Sequence, residues 1–422
     1  MSGVSSAASS IPDASAPDAE AKTVGSKGPP SDLSVLVISI DSLRADMPWA
    51  GYPRPIAPRL TELEKRAVSY TKAYSISSYT SASLSGFLSG KYPSELRRSG
   101  FFFSSYPKPN VMFPSLLQAK GIATLSAHAH GYFKNAGFEQ GFDTYEIVPG
   151  IVFDAQTDPN VTGPKHAALA EKILSDPKLA TGKFFAWFHF LDPHDEYMSH
   201  EKDGIPAYGK TLRDRYDAEV LFTDQQIAKL LDFVEKQPFA KRLVTIVTAD
   251  HGEAFGEHGM MRHGFEIWEN LVRVPLFIVA PGAAPKRIDE PRSAIDLAPT
   301  IMQLLGQEPD PGFDGKSLVD EIYGKTKPEP RDVIVDLPMT SNNDKRRALV
   351  SGTKKVIGFG KDELPKLFDL EADPTEKSPI TKGDDFTAMV ARYRAASKAI
   401  KEVEPFACKP NVCLNNTLPK KE

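Results

Sequence analysis

Seven β-branched or apolar residues, Leu243 to Ala249, lead directly into Asp250 and His251. The run has neither a helical period nor polar alternation, which predicts a strand buried on both faces. Two other runs end the same way. LSVLVISI, Leu33 to Ile40, stops at Asp41, and FFAWFHFLDPHDEY, Phe184 to Tyr197, carries His189 inside it with Asp192 and His194 just past its end. Between these runs the apolar spacing turns helical. RLTELEKRAVSY places Leu60, Leu63 and Ala67 on one face, and YDAEVLFTDQQIAKLLDFVEKQ reads as a long amphipathic helix feeding the Leu243 strand. MFPSLLQAKGIATLSAHAHGYF reads as a helix, Pro114 to Lys120, and a strand ending near His128 and His130. This alternation predicts an α/β chain, a three-layer sandwich around a mostly parallel central sheet.

VRVPLFIVAPG, from Val272, adds a strand, and DLAPTIMQLLG, from Asp296, adds a helix closed by Gly306. Further on, RDVIVDLP, RRALVSGTKKVIGFG and KLFDLEADP read as short strands joined by turns, and FTAMVARYRAASKAIKEV as a final helix. The expected division is a main domain over 33–315, a small α+β subdomain with an antiparallel sheet over 316–405, and a polar tail over 406–422. Residues 1–32 hold no aromatic side chain and are rich in Ser, Ala, Pro, Asp, Gly and Lys, so they read as a disordered leader.

Composition narrows the function classes. The chain is 41% hydrophobic and 25% charged, with a net charge of -4, which gives no electrostatic reason to expect nucleic acid as a partner. No apolar run reaches the roughly eighteen residues a membrane span needs. Membrane association would follow only from a longer native chain, and the leader is the one hint of that. The two cysteines, Cys408 and Cys413, can close a small disulfide loop or remain reduced.

The polar residues at the strand ends carry the chemistry. In a parallel sheet, ligands gather at the carboxyl ends of strands, where Asp41, Asp250 and His251 all fall. AYSISSYTSASLSGFLSGKYP supplies Thr80 in a hydroxyl-rich turn before a short helix ending at Gly90. Asp41, Thr80, Asp250 and His251 together offer oxygens and one imidazole to a divalent cation. That mixture suits zinc or manganese better than calcium or magnesium, which stay open as alternatives. Coordination would activate the Thr80 hydroxyl, and His194 and His263 would hold an anionic tetrahedral group or a second cation.

Several residues have plain structural readings. Thr80 can be a helix cap, which would leave Ser78 or Ser81 as nucleophile; His189 can be a satisfied core histidine, and His258 a loop histidine. His128 and His130 alternate by two, with no motif to fix them. Arg44, Arg97 and Arg98 read as surface or salt-bridge residues.

Taken in order, VLVISIDSLRAD, AYSISSYTSASLSGFLSGKYPSE, FFAWFHFLDPHDEY, TADHGEAFGEHG, RHGFEIWENLVRVPLFI, IDLAPTIMQLLG and KLFDLEADPTE resemble the sulfatase family of the alkaline phosphatase superfamily. The resemblance spans roughly residues 34 to 376 and implies an alkaline phosphatase-like sandwich and metal-dependent ester chemistry. Two departures qualify it. The family's paired aspartates after the first strand appear here as Asp41 and Ser42, and the position that sulfatases mature to formylglycine, in a C/S-x-P-x-R motif, is Thr80 followed by Ser81, Ala82, Ser83 and Leu84. A threonine there, with Asp-His in place of Asp-Asn, is similar to the branch that includes phosphoethanolamine and phosphoglycerol transferases. That branch implies a phosphate or sulfate ester, small-molecule, glycan or lipid, cleaved or transferred through Thr80, with His194 or His263 protonating the leaving group. It also implies work outside the cytoplasm. The alternatives are a sulfuric ester hydrolase without formylglycine, or an inactive sulfatase-fold protein that binds anionic glycans or lipids.

Overall fold

The structure is a computed structural model and describes residues 28–151, 160–360 and 363–407. Most of the expected leader, and the tail with Cys408 and Cys413, lie outside the described residues.

An eight-stranded sheet forms the centre. Its order is Lys286–Ile288, Val68–Tyr70, Leu276–Val279, Leu243–Ala249, Ser34–Ile40, Phe184–Phe190, Ala123–His128 and Thr144–Ile147. Every pairing is parallel except the two made by Leu276–Val279, so the sheet is mostly parallel, as the sequence predicts. The three strands that announce themselves as continuous apolar runs are adjacent at its middle and buried along their whole length. Covering a parallel sheet on both faces leaves no polar side to alternate with.

Alternate residues of these strands feed two cores. Val35, Val37, Phe185, Trp187, Val244 and Ile246 face one cluster, with the helices Thr80–Ser89, Phe113–Gln118 and Leu297–Leu304. Leu36, Ile38, Ile40, Phe188 and Val247 face the other, with Pro58–Lys65, Gly163–Leu174 and Leu212–Val234. The last of these helices starts at a capping box in which Thr211 and Asp214 each bond the other's backbone N–H. These are the three layers of the sandwich.

Beyond the main sheet, Val333–Leu337, Arg346–Ser351, Lys354–Phe359 and Leu364–Asp369 form an antiparallel sheet in chain order. One face packs through Val335, Ala348 and Ile357 on Tyr79, Ala254 and Leu271 of the main body. The other packs through Leu349, Val356 and Leu367 on Met389, Val390 and Tyr393 of the final helix, Asp384–Ala399. Leu318, Val319, Ile322 and Tyr323 belong to the core of the main body, so the chain stays with that body beyond residue 315. Among the described residues no helix is long and apolar enough to cross a membrane.

Candidate active site

Register brings the acids together. Ile40 is paired with both Ala249 and Phe190, so Asp41 and Asp250 leave neighbouring strands side by side. Adjacent strands lie about 4.8 Å apart, close enough for both carboxylates to face one ligand. His251 follows at once, and one ligand atom from each of Asp41, Asp250 and His251 lies within 4.8 Å of the others.

Thr80 arrives from a different layer. Asp41 falls on the same face as Val35 and Val37, the face covered by helix Thr80–Ser89. That helix is nearly all buried, which its small residues permit: a Cβ on Gly86 would stand 2.7 Å from Ile76. Ser85 and Ser89 satisfy their hydroxyls on the carbonyls of Ala82 and Ser85. The N-cap is Tyr79, and Thr80 is the first helical residue, so its hydroxyl is not spent on capping. Instead Thr80 Oγ1 donates to Asp41 Oδ2 at 3.3 Å and lies 3.2 Å from His251 Nε2. Of the fallback nucleophiles, Ser81 turns to the Phe102 carbonyl and Ser78 is buried with its hydroxyl unpartnered.

The site's electrostatics call for a cation. Burial, with Asp41 opposite, pushes the Asp250 carboxyl up to about 8. Burial works against charge on Asp41 too, but His194, His189 and His251 around it hold its carboxyl far below the usual range. Asp250 Oδ2 has no hydrogen-bond partner. Burial next to His263 drives His251 well below its ordinary value, toward the neutral form, and its Nδ1 donates to the Gly252 carbonyl at 2.9 Å. Nε2 is thereby the nitrogen with a lone pair, the form that ligates metals. Two buried carboxylates, an oriented neutral imidazole and a hydroxyl fit a divalent cation.

Asp41 is itself held in place. Trp187 Nε1–H donates to Ser39 Oγ at 2.8 Å, Ser39 Oγ lies 2.8 Å from His189 Nδ1, and His189 Nε2 lies 3.3 Å from Asp41 Oδ2. The ionised Asp41 can only accept, so His189 Nε2 carries the hydrogen, and in the neutral imidazole Nδ1 then accepts the Ser39 hydroxyl. His189 thus serves the site and is not a bystander of the core. Ser42, in the left-handed region at φ 56°, donates from Oγ to Asp41 Oδ1 and from its N–H to Asp250 Oδ1. A hydrogen-bond donor stands where the family's second aspartate would add negative charge.

His194 and His263 close the opposite side. Their rings lie 5.0 Å apart, and His263 is 4.1 Å from the His251 ring. The His194 loop is anchored by Asp192, which accepts from Thr162 N–H at the start of helix Gly163–Leu174, and His194 Nδ1 donates to the Asp195 carbonyl at 2.7 Å.

His130 lies near this side of the site, its ring accepting from Tyr132 N–H at 3.0 Å and stacking on Phe103. Burial pushes its pKa down to about 4, and it lies within electrostatic reach of His194 and Asp41. A helix-free loop, Ala129 to His130, carries it past the strand end, so only the neighbouring strand's position brings it near. His128 is buried among Phe133 and Trp187, and His258 stacks on Trp268 at 3.8 Å. Arg44 is not on the surface; it is buried and paired with Asp46 and Glu257. Arg98 is likewise buried, donating to the carbonyls of Ser94, Leu96 and Val403, whereas Arg97 is exposed and donates to the Lys108 carbonyl.

Comparison with known proteins gives the family. The sulfatase family model matches residues 34–307, and a model of the C-terminal part of N-sulphoglucosamine sulphohydrolase matches 256–402. A choline-sulfatase of Rhizobium meliloti is 23% identical, with 88% of each chain covered. An ulvan-active sulfatase of Formosa agariphila is 22% identical over 87% of this chain and 81% of its own. The fold is shared with a phosphonate monoester hydrolase of Agrobacterium radiobacter at a TM-score of 0.70 and 18% identity, covering 87% of this chain and 95% of that one. The chain belongs to the sulfatase family, with an alkaline phosphatase-like fold.

Proposed function

We propose that this protein is a metal-dependent ester hydrolase or group transferase that works through Thr80, without a formylglycine. The observation that carries the reading is the placement of Thr80 Oγ1 between Asp41 Oδ2 and His251 Nε2. Asp41, Asp250, His251 and Thr80 would hold the cation, with zinc or manganese favoured by the mixed donor set. A divalent cation held there would acidify the threonine hydroxyl and offset charge on the transferring group.

The remaining steps belong to the chain. Thr80 Oγ1 attacks phosphorus or sulfur after its proton has passed to solvent, while Asp41, which its hydroxyl faces, stays ionised and orients it. The bond to the ester oxygen breaks, and His194 or His263 delivers a proton to that oxygen. The unsatisfied N–H groups at the start of helix Thr80–Ser89 favour the negative charge on the group now esterified to Thr80. Water or an acceptor alcohol then takes the group from threonine.

The names of the relatives span sulfate and phosphonate esters, so the substrate series should contain aryl sulfate, aryl phosphate and aryl phosphonate monoesters. Wild type and Thr80→Ala, both loaded with metal, are incubated with each ester and followed by turnover and intact-protein mass spectrometry. A covalent adduct mapping to Thr80 and absent from the variant is expected. Metal binding with no adduct and no turnover of any ester would leave a sulfatase-fold protein that binds anionic ligands without cleaving them.

A further inference from the structure

Glu253 lies two residues past His251 and is wholly buried. Its backbone is held from three directions. Its N–H donates to the Asn270 carbonyl at 3.1 Å, and its carbonyl accepts from Arg44 at 2.9 Å and from Asn270 Nδ2 at 3.1 Å. The side chain is held as firmly. Oε1 accepts from Ala254 N–H at 3.2 Å, Oε2 accepts from the Tyr197 hydroxyl at 3.1 Å, and the two oxygens lie 3.3 and 3.4 Å from His263 Nδ1.

This arrangement has a chemical consequence. An ionised carboxylate accepts hydrogen bonds and donates none, so the imidazole nitrogen facing it carries the hydrogen. With Nδ1 committed to Glu253, Nε2 is the nitrogen His263 has left for the site it shares with His251 and His194. A buried carboxylate is a poor way to fill space, since an apolar side chain would do so without the desolvation penalty. Here three separate chain segments, at 197, 253 and 263, are joined by it.

We infer that Glu253 is a positioning residue for the ester chemistry proposed above. It keeps a hydrogen on His263 Nδ1, so that Nε2 is the nitrogen through which His263 holds or delivers a proton at the ester oxygen, and through Tyr197 it ties that histidine to the loop bearing His194. The inference rests on the reading of Thr80 and the histidines as reactive groups.

The test combines a spectrum with a double-mutant cycle. The protein has nine histidines, so selective 15N-histidine labelling with His263→Gln as the assignment control isolates one ring. Wild type is expected to show a hydrogen on His263 Nδ1. In kinetics with an aryl ester, Glu253→Gln, which can donate as well as accept, is expected to lower kcat by about 10- to 100-fold with little change in KM. That loss should vanish when His263→Gln is already present, because the two residues act as a unit. A merely structural Glu253 would lower kcat by the same factor in both backgrounds. A sole hydrogen on His263 Nε2, or losses that multiply in the double variant, overturns the inference. If wild type turns over no ester, the proposed function fails, while the imidazole spectrum still decides how Glu253 holds His263.

Discussion

Gly252→Ala tests the packing under the site, because it removes no reactive group and acts only by displacing backbone. A Cβ at Gly252 would stand 2.1 Å from the Asn270 carbonyl oxygen, 3.1 Å from its carbon and 3.4 Å from Leu271 Cα, all backbone. No side chain can swing aside, so one backbone segment must retreat. The bonds at risk are Gly252 N–H to the Leu271 carbonyl, 2.8 Å, and Glu253 N–H to the Asn270 carbonyl, 3.1 Å. Overpacking of this kind costs about 1–3 kcal/mol, and each weakened backbone bond about 0.5–1.5 kcal/mol. A central value of about 3 kcal/mol lowers Tm by roughly 3–4 °C in a chain of 422 residues, since unfolding entropy is about 2.1 cal/mol/K per residue. The displaced residues are His251 and Glu253, so a shift near 1 Å also costs about 100-fold in kcat/KM. Differential scanning calorimetry and aryl-ester kinetics on metal-loaded protein read both effects. A Gly252→Ala variant with unchanged Tm and kcat/KM would refute the close approach on which the site is built.

Chelation should destabilise the protein and metal should restore it. A ligand at 100 times its Kd contributes about 2.7 kcal/mol, and Asp250→Asn should abolish most of that response in a thermal melt with and without zinc or manganese. The buried pair His200–Glu219, 2.8 Å apart beside the His194 loop, predicts a pH dependence. Burial, only partly offset by His200, pushes the Glu219 carboxyl from 4.5 up to about 7, so the native state keeps a proton there that the unfolded state has lost. Stability therefore falls as pH rises from about 4.5 to 7, by about 3 kcal/mol. His200 adds in the same direction: burial disfavours its charge, but the bond to Glu219 outweighs that and raises its pKa, and this stability is lost as pH rises through the folded value. Urea unfolding at pH 5 and 7.5 should show this loss in wild type and little of it in Glu219→Gln; equal slopes would rule it out.

The central strands and the acids at their ends are legible from sequence because burial on both faces demands unbroken apolar runs, and a run must end where polar ligands begin. Leu33–Ile40, Phe184–Phe190 and Leu243–Ala249 are of this kind, and Asp41, Asp250 and His251 follow from them. The helix after Thr80 is also readable, from its hydroxyl-rich start and closing Gly90. What local pattern could not decide was which side of each residue is used. A threonine before a helix looks like a cap until the layer above Asp41 is in place, and then its hydroxyl faces Asp41 and His251. His189 looks like core until parallel register sets it beside Ser39 and below Asp41. Arg44 reads as either a surface or a salt-bridge residue until Glu257 returns over it from more than two hundred residues away and decides for the salt bridge. Glu253 carries no signal of its own, because its partners, His263 and Tyr197, come from separate segments. Periodicity records how each segment meets solvent or core, whereas hydrogen-bond partners depend on strand order, register and loop return, which only the assembled chain supplies.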